Sequence, residues 1–176
     1  MEKKVNIIIP SIKINDELIV CLKGINKLNY KNFIVTVVLD INNNKKLPKF
    51  KFKINKIISG KINMSEKRNL GARKFNSEYI AFIDSDAYPS INWLKNAVKF
   101  FHDPSIHAVG GPDIPFKNQS YSQKITYLCH GSFFVSGQYS YRKFKRPEIV
   151  CKDFLKSCNC MMKRSLYLKH GGMNKK

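Results

Sequence analysis

Apolar residues occur along the chain as short continuous runs, and three of these runs lie in its first half. They cover Val5–Ile9, Phe33–Leu39 and Glu78–Ile83. Runs of this kind are typical of strands that are buried on both faces of a parallel sheet. A shorter run, His107–Gly111, predicts a further strand, so the sequence indicates a central sheet.

Between these runs, apolar side chains recur at helical spacing. Asp16–Lys27 has this pattern behind Asn15, a residue type that commonly caps helices. Helices are also predicted over Ser65–Lys74 and, after Pro89-Ser90, from Trp93 to Phe101. Strands that alternate with helices in this way define an α/β fold with right-handed crossovers between parallel strands.

Two stretches have weaker patterns. Lys45–Lys61 alternates apolar residues with polar ones, which predicts one half-exposed strand whose seven lysines face solvent. Beyond Pro112 the pattern is irregular until Ser157–Met162, a predicted strand, and Arg164–His170, a predicted short helix.

Composition narrows the class of protein. The 176 residues suit one domain with a real core, and a 43% hydrophobic content excludes a disordered basic tail. The apolar runs are too short to span a membrane, and we expect no signal peptide because Met1–Pro10 lacks a longer apolar stretch and a cleavage site. Five cysteines without metal-ligand spacing favour a reduced, cytoplasmic compartment.

The net charge of +20 allows several readings. Nucleic-acid binding is one, but 27 lysines against 5 arginines argue against specific base or phosphate recognition. A drift towards A/T-rich codons explains much of the Lys, Asn and Ile content without any ligand. The excess is concentrated in residues 114–176, with 13 basic and 2 acidic side chains, including Arg142–Arg146. This region suits an anionic membrane surface, a phosphorylated acceptor or simply a solvated loop.

Acidic residues follow two of the predicted buried strands. Asp40 ends the second run, and Asp84-Ser85-Asp86 ends the third. Ligands of open α/β sheets bind at the carboxyl ends of the strands, and paired carboxylates there can hold Mg²⁺ or Mn²⁺. Turn formation is the alternative role of these residues. Arg68, near the start of a predicted helix, could meet a phosphate.

Taken in order, these segments resemble the family 2 glycosyltransferases, whose GT-A fold is a Rossmann-like, nucleotide-sugar-binding α/β domain with a mostly parallel sheet. The similarity extends over nearly the whole chain. It is carried by Val5–Ser11, Val37–Asp40, Lys67–Gly71, Glu78–Asp86, Val109–Gly111, Cys158–Ser165 and Gly171–Met173.

The resemblance implies a role for each matching residue. Pro10 and Ser11 would line the pocket of the donor base, and Asp40 would accept a hydrogen bond from uracil or another base. Arg68 would contact the pyrophosphate, while Asp84 and Ser85 would lie near the ribose and the donor sugar. Asp86, with Asp84, would ligate a Mg²⁺ or Mn²⁺ ion that neutralises the leaving nucleoside diphosphate, which makes Asp86 a catalytic candidate. The family also implies transfer with inversion, most simply from a UDP-linked sugar.

The sequence departs from the family pattern at three points. Pro10-Ser11-Ile12-Lys13 lacks the usual aromatic residue, and Leu39-Asp40 replaces the usual pair of aspartates. The Glu-Asp segment that supplies the general base in the family would follow Gly171–Met173, where this sequence ends. We therefore expect a truncated transferase, with residues 1–113 as the nucleotide-sugar-binding half and 114–176 as an incomplete acceptor-side half. Asp153 is a weak candidate for a catalytic acceptor-side carboxylate.

Three functional hypotheses follow. The first is a transferase that uses a nucleoside-diphosphate sugar and a glycan or lipid-linked saccharide acceptor for polysaccharide biosynthesis at the cell envelope. The second is a catalytically incomplete nucleotide-sugar-binding fragment. The third is a basic protein that binds nucleic acid or a membrane surface, although no specific nucleic-acid partner is expected. The first predicts a cytoplasmic protein that can sit peripherally on the inner face of the membrane.

Overall fold

A computed structural model describes residues 2–115, 120–143 and 155–174, and a six-stranded sheet lies at its centre. The sheet order is β3-β2-β1-β4-β6-β5. Strands β3, β2, β1 and β4 are mutually parallel, and β6 runs antiparallel to both β4 and β5. The strands are β1 (Val5–Ser11), β2 (Phe33–Leu39), β3 (Ile54–Ile58), β4 (Tyr79–Ile83), β5 (Ala108–Gly110) and β6 (Asn159–Lys163). This mostly parallel arrangement confirms the predicted α/β class.

Six α-helices and one 3₁₀ helix are present among the described residues. Asn15 caps the first helix by accepting from the backbone N–H of Leu18, as its position predicts. The second helix begins with a capping box between Asn63 and Glu66. The helices are α1 (Asp16–Ile25), α2 (Met64–Lys74), α3 (Trp93–Phe100), α4 (Tyr121–Gly131), α5 (Phe133–Ser136), the 3₁₀ helix (Gly137–Lys143) and α6 (Arg164–Lys169).

The core lies on both faces of the sheet because successive strand residues point to opposite sides. In β1, Ile7 and Ile9 pack in the cluster that contains residues of α1 and α3. Ile8, between them, belongs to the cluster on the other face, with Phe82 of β4 and Tyr167 of α6. Helices on both faces leave the carboxyl edge of the parallel strands as the open edge of the domain.

The prediction of one strand over Lys45–Lys61 is wrong in extent. Only Ile54–Ile58 forms a strand, which is the parallel edge strand β3. In the preceding segment, Phe50 and Phe52 stack with ring centroids 5.3 Å apart, and Phe52 also contacts Phe33. These rings pack against the core rather than continuing the ladder, so the apolar alternation reflects aromatic packing. The seven lysines do face solvent, as expected.

The region after Pro112 contains structure that the sequence pattern does not indicate. Helices α4 and α5 and the 3₁₀ helix occupy residues 121–143 and pack chiefly against one another. Neither α4 nor α5 contains a buried residue, so these helices lack the buried apolar face from which helices are usually recognised. Across the described ranges, no helix is both long and apolar enough to cross a membrane.

Candidate functional site: the carboxyl edge of β2, β1 and β4

Three neighbouring strands end at one edge of the sheet, and at each end, or directly after it, stands a candidate residue of the sequence analysis. Ser11 is the last residue of β1 and pairs in register with Leu39, so Asp40 follows directly beside it. Asp84 follows β4 on the other side of β1. The backbone N–H of Asp40 donates to the carbonyl of Ile12 at 3.0 Å, which ties the loops after β1 and β2 together.

Helix α2 approaches this edge closely. A Cβ on Gly71 would lie 2.7 Å from the Cγ2 of Ile8, so only glycine allows this approach. The Gly71 carbonyl accepts from the buried Asn6 amide at 3.2 Å, and the Asn6 side-chain oxygen accepts from the Thr36 hydroxyl at 2.7 Å. This chain of buried hydrogen bonds fixes α2 against β1 and β2.

Consecutive residues of α2 reach opposite sides of β1. The Lys67 ammonium lies 2.6 Å from Asp40 Oδ1, and it donates to the Ser11 carbonyl at 2.8 Å. Its side chain is only 1% exposed, whereas that of Asp40 is 13% exposed. A buried ammonium needs such a counter-charge because its desolvation is costly.

Arg68 forms the second ion pair. Its Nη2 lies 2.6 Å from Asp84 Oδ1, with 8% of the arginine side chain and 39% of the aspartate side chain exposed. The Arg68 Nε is buried and has no hydrogen-bond partner among the described residues. The Cys21 thiol lies 3.7 Å from the Asp84 carbonyl, and burial raises its pKa to about 12. Asp84 is therefore held by its neighbours but remains reachable.

The remaining predicted residues differ in exposure. Pro10 is buried within β1, and Ser11, which is 3% exposed, turns its hydroxyl to the carbonyl of Lys13 at 3.0 Å. Ser85 is half-buried and Asp86 is exposed. Among residues 2–115, 120–143 and 155–174, three or more His, Cys, Asp or Glu side chains do not converge on one point. Asp84 and Asp86 thus form a two-carboxylate turn rather than a closed metal cage.

Beside Asp84, the start of β6 forms a second polar cluster. Asn159 pairs in register with Ile83, accepts from the Trp93 indole at 2.8 Å and donates to the Pro112 carbonyl at 3.0 Å. Lys156 lies 2.7 Å from Asp113 Oδ2. Burial, followed by the negative charges of Asp84 and Asp113, raises the pKa of Cys158. The side of the sheet next to Asp84 is therefore also polar and partly buried.

An open cleft of about 370 Å³ lies between Asp113–Pro115 and α4. The surface of the cleft is mainly apolar, and six of its eight lining residues also carry side chains that can form hydrogen bonds. They belong to Asp113, Ser122, Gln123, Thr126, Tyr127 and His130.

Two matched motifs have a structural role. Asn69, 2% exposed, accepts from the Tyr167 hydroxyl and from the Met173 N–H, and donates to the Met173 carbonyl. Gly172 has a φ of +85°, and a Cβ there would lie within 2.3 Å of the Asn69 side-chain oxygen. The Asn69–Gly172 contact therefore docks the turn after α6 onto α2.

The structure brings Ser11, Asp40, Arg68 and Asp84 to one edge, while Asp153 lies outside the described residues. The sequence pattern assigns no role to Lys67. A signal was available: Lys67 and Arg68 stand four residues before Gly71 and Ala72, so the two small residues place them on the helix face that meets the sheet. Asp113 and Asn159 had no comparable signal because their contacts are long-range.

The fold defines the chain as an α/β protein with a mostly parallel central sheet and an open carboxyl edge. The family model described as Glycosyl transferase family 2 matches residues 6–171. The chain therefore belongs to this glycosyltransferase family. A comparison with curated protein sequences finds no match.

Solved structures share the fold at low sequence identity. The mannosyltransferase PcManGT from Pyrobaculum calidifontis, in complex with GDP-Man and Mn²⁺, has a TM-score of 0.68 and 17% identity over 99% of this chain and 48% of that one. S. aureus TarS in complex with UDP-GlcNAc has a TM-score of 0.61 and 15% identity over 96% and 47%. S. aureus TarS in complex with UDP has a TM-score of 0.65 and 16% identity over 96% of this chain and 49% of that one. The chain spans about half the length of these structures.

Proposed function

We propose that this chain binds a nucleoside-diphosphate sugar at the carboxyl edge of β2, β1 and β4 and transfers the sugar to a glycan or lipid-linked saccharide. The observation that carries the proposal is the pair of ion pairs made by consecutive residues, Lys67–Asp40 and Arg68–Asp84. They flank β1 where ligands of open sheets bind. GDP-Man and UDP-GlcNAc in the structural relatives support this ligand class.

In this proposal each residue contacts a different part of the donor. Asp40 accepts from the base in the pocket that Pro10 and Ser11 line. The Arg68 guanidinium, now paired with Asp84, turns towards the pyrophosphate and offers N–H donors to its oxygens. Asp84 and Ser85 then face the ribose and the donor sugar.

The donor set at Asp84 and Asp86 fits Mg²⁺ or Mn²⁺. Both side chains offer hard oxygen ligands, and their exposure leaves room for the waters and phosphate oxygens that these ions retain. When bound, the ion stabilises the negative charge of the leaving diphosphate. The bound Mn²⁺ in PcManGT supports this choice.

In the proposed reaction one bond breaks, one bond forms and one proton is transferred. The anomeric carbon loses its bond to the diphosphate oxygen, which leaves with the electron pair, and gains a bond to the acceptor oxygen with inversion. The acceptor hydroxyl proton passes to a general base, for which Asp153 stays a candidate. Arg68 stabilises the charge that develops on the leaving group.

Calorimetric titration with UDP tests the donor site. We expect Mn²⁺-dependent binding in the wild-type chain and at least about a tenfold weaker Kd in Asp86→Ala. Asp103→Ala is the matched control, because Asp103 is an exposed aspartate whose side chain accepts hydrogen bonds from Ser105. Its neighbour Pro104 contacts Lys163, which pairs with Tyr79 at the opposite end of β4 from Asp84. An affinity unchanged by EDTA or by Asp86→Ala would contradict the metal-dependent site. Donor binding without sugar transfer would favour the incomplete binding fragment.

We place the acceptor in the cleft beside Asp113. A mainly apolar surface with a few hydroxyl, amide and imidazole groups suits a saccharide, whose ring faces pack on apolar surface while its hydroxyls form directional hydrogen bonds. His130→Ala, at the end of α4 away from its capping box, is expected to lower transfer to a panel of saccharides while it leaves the Kd for UDP within about twofold. An equal loss of UDP affinity would show that His130 acts on donor binding.

The surface around α5 suits an anionic membrane. Phe134 is 98% exposed and Phe133 is 70% exposed, and both lie in the stretch 114–147, which has six Lys and Arg and no acidic residue. Exposed aromatic side chains combined with positive charge favour insertion at the interface of anionic lipids.

Co-sedimentation with vesicles of phosphatidylglycerol and phosphatidylcholine tests this surface. Membrane binding of the wild-type chain would bury both phenylalanine side chains. The double variant Phe133→Ser/Phe134→Ser lacks this apolar contribution and should bind at least about tenfold more weakly. Ile91→Ser, which replaces an exposed isoleucine elsewhere, is the control. The proposal of an anionic membrane partner would be contradicted if the chain bound neutral and anionic vesicles equally, or if the double variant bound as tightly as the wild-type chain.

A further inference from the structure

At the carboxyl edge of β2, β1 and β4, the most deeply buried charged side chain is that of Lys67, which lies beneath Asp40 and away from the open surface. Its side chain is 1% exposed, and its ammonium meets Asp40 Oδ1 and the Ser11 carbonyl. Removing an ammonium from water is costly and buys no affinity by itself. We therefore ask how the buried ammonium changes the acceptor oxygens that Asp40 offers to a ligand.

The ion pair makes the two oxygens of Asp40 unequal. Oδ1 is buried and lies 2.6 Å from the Lys67 ammonium, which contacts it as a counter-charge without hydrogen-bond geometry. A ligand at the open edge cannot reach it, so Oδ2 is the oxygen that the partly exposed carboxylate offers. Asp40 thus presents one acceptor to the donor base instead of the two that a free carboxylate presents.

The surrounding packing fixes this arrangement. Gly71 allows α2 to sit close to β1, and the hydrogen bonds from Thr36 through Asn6 to Gly71 hold it there. The backbone N–H of Asp40 is held by Ile12. Both partners of the ion pair therefore have defined positions before any ligand arrives, which is the condition for selectivity by hydrogen bonding.

We propose that Lys67 is a positioning residue that selects the donor base: by occupying Asp40 Oδ1, it leaves one acceptor and favours uracil over guanine. This inference rests on the proposed function, in which Asp40 faces the base. Uracil presents a single imide N–H between two carbonyl acceptors, which matches one oxygen. Guanine presents two adjacent N–H donors, and one of them would stay unpaired.

An unpaired donor in a partly buried pocket weakens binding. We expect UDP to bind at least about tenfold more tightly than GDP, because one lost hydrogen bond costs on the order of one decade of affinity. CDP should also bind more weakly than UDP, since the cytosine ring nitrogen at the matching position is an acceptor.

The variant Asp40→Asn gives a readout that a purely structural role would not move. Lys67 should hold the amide oxygen of the asparagine in place of Oδ1, so the amide nitrogen faces the base as a donor. This reverses the preference, and CDP should bind more tightly than UDP. In Lys67→Met/Asp40→Asn the amide is no longer oriented, and the ratio of the two Kd values should fall to within about threefold.

The measurement is calorimetric titration of UDP, GDP and CDP with Mn²⁺, for both variants and for the control Lys74→Met, an exposed lysine of the same helix. If the wild-type chain binds none of the three, the proposed function fails. If it binds them equally, or if Asp40→Asn keeps the preference for UDP, only the inference about Lys67 is overturned. Should Asp40→Asn not fold, the double variant decides, because a retained preference for UDP there would also overturn it.

Discussion

The sheet region and the helical segment 120–143 use similar apolar side chains in opposite ways. In β1 all seven residues are buried, whereas α4 and α5 have no buried residue. The difference is one of available partners. Side chains of the sheet are covered by helices on both faces, while α4, α5 and the 3₁₀ helix contact mainly one another among the residues that the structure describes. An apolar side chain therefore stabilises this fold only where another element covers it, and elsewhere it is available to a partner.

The largest difference between the two regions is expected in the loss of free energy of unfolding when a phenylalanine is replaced by alanine. Phe82 is fully buried in β4, with its ring 5.5 Å from that of Tyr167, whereas Phe134 is 98% exposed. Phe82→Ala should lower the free energy of unfolding by about 3–5 kcal/mol because it leaves a cavity. Phe134→Ala should change it by less than about 0.5 kcal/mol. Urea unfolding followed by circular dichroism measures both, and similar losses would show that α5 is covered by the fold.

Two cysteines extend the contrast to reactivity. Cys160 is 2% exposed, and burial raises its pKa to about 12, whereas Cys129 is exposed. Cys160 should react with a thiol reagent only when the structure opens, at least about a hundredfold more slowly than Cys129. Mass spectrometry of partly alkylated peptides at pH 8 gives both rates. Comparable rates would place β6 among the locally opening elements.

The same buried thiol predicts a dependence of stability on pH. The native chain keeps the Cys160 proton up to about pH 12, while the unfolded chain releases it near its ordinary pKa of 9.0. Since the unfolded state binds fewer protons in this window, the free energy of unfolding falls as the pH rises from about 9 to 12. Cys160→Ala should show a smaller fall than the wild-type chain in urea titrations. An identical pH dependence would exclude this thiol as the cause.

The smallest contrast concerns two capping boxes. Asn63 caps α2, which packs on the sheet, and Ser120 caps α4, which does not. Asn63→Ala should lower the global free energy of unfolding by about 1 kcal/mol. Ser120→Ala should leave the global value unchanged and increase proteolysis locally within α4. A global loss in the second variant would show that α4 unfolds together with the sheet.

The pattern of apolar and capping residues predicts those elements of the fold that depend on interactions between residues close in sequence. The apolar run Phe33–Leu39 is β2 to the residue, and Asn15 caps α1, because a strand buried on both faces and a capped helix leave direct traces in sequence. Lys45–Lys61 misled because Phe50 and Phe52 pack as rings rather than in a ladder. The sequence pattern does not predict α4, because none of its residues is buried and packing among the described residues therefore imposes no apolar stripe on it.

The sequence by itself determined the α/β class, the family and the acids at the strand ends, Asp40, Asp84 and Asp86, since strand order and motif order are written along the chain. Only the tertiary structure decided that Lys67 turns inward to Ser11, 56 positions away, and masks one oxygen of Asp40. It also set β6 antiparallel beside β4, which brings Asn159 to Ile83. The physical reason is that such contacts depend on how closely α2 and the strands approach, and that distance is fixed by residues far apart in sequence, such as Gly71 and Ile8.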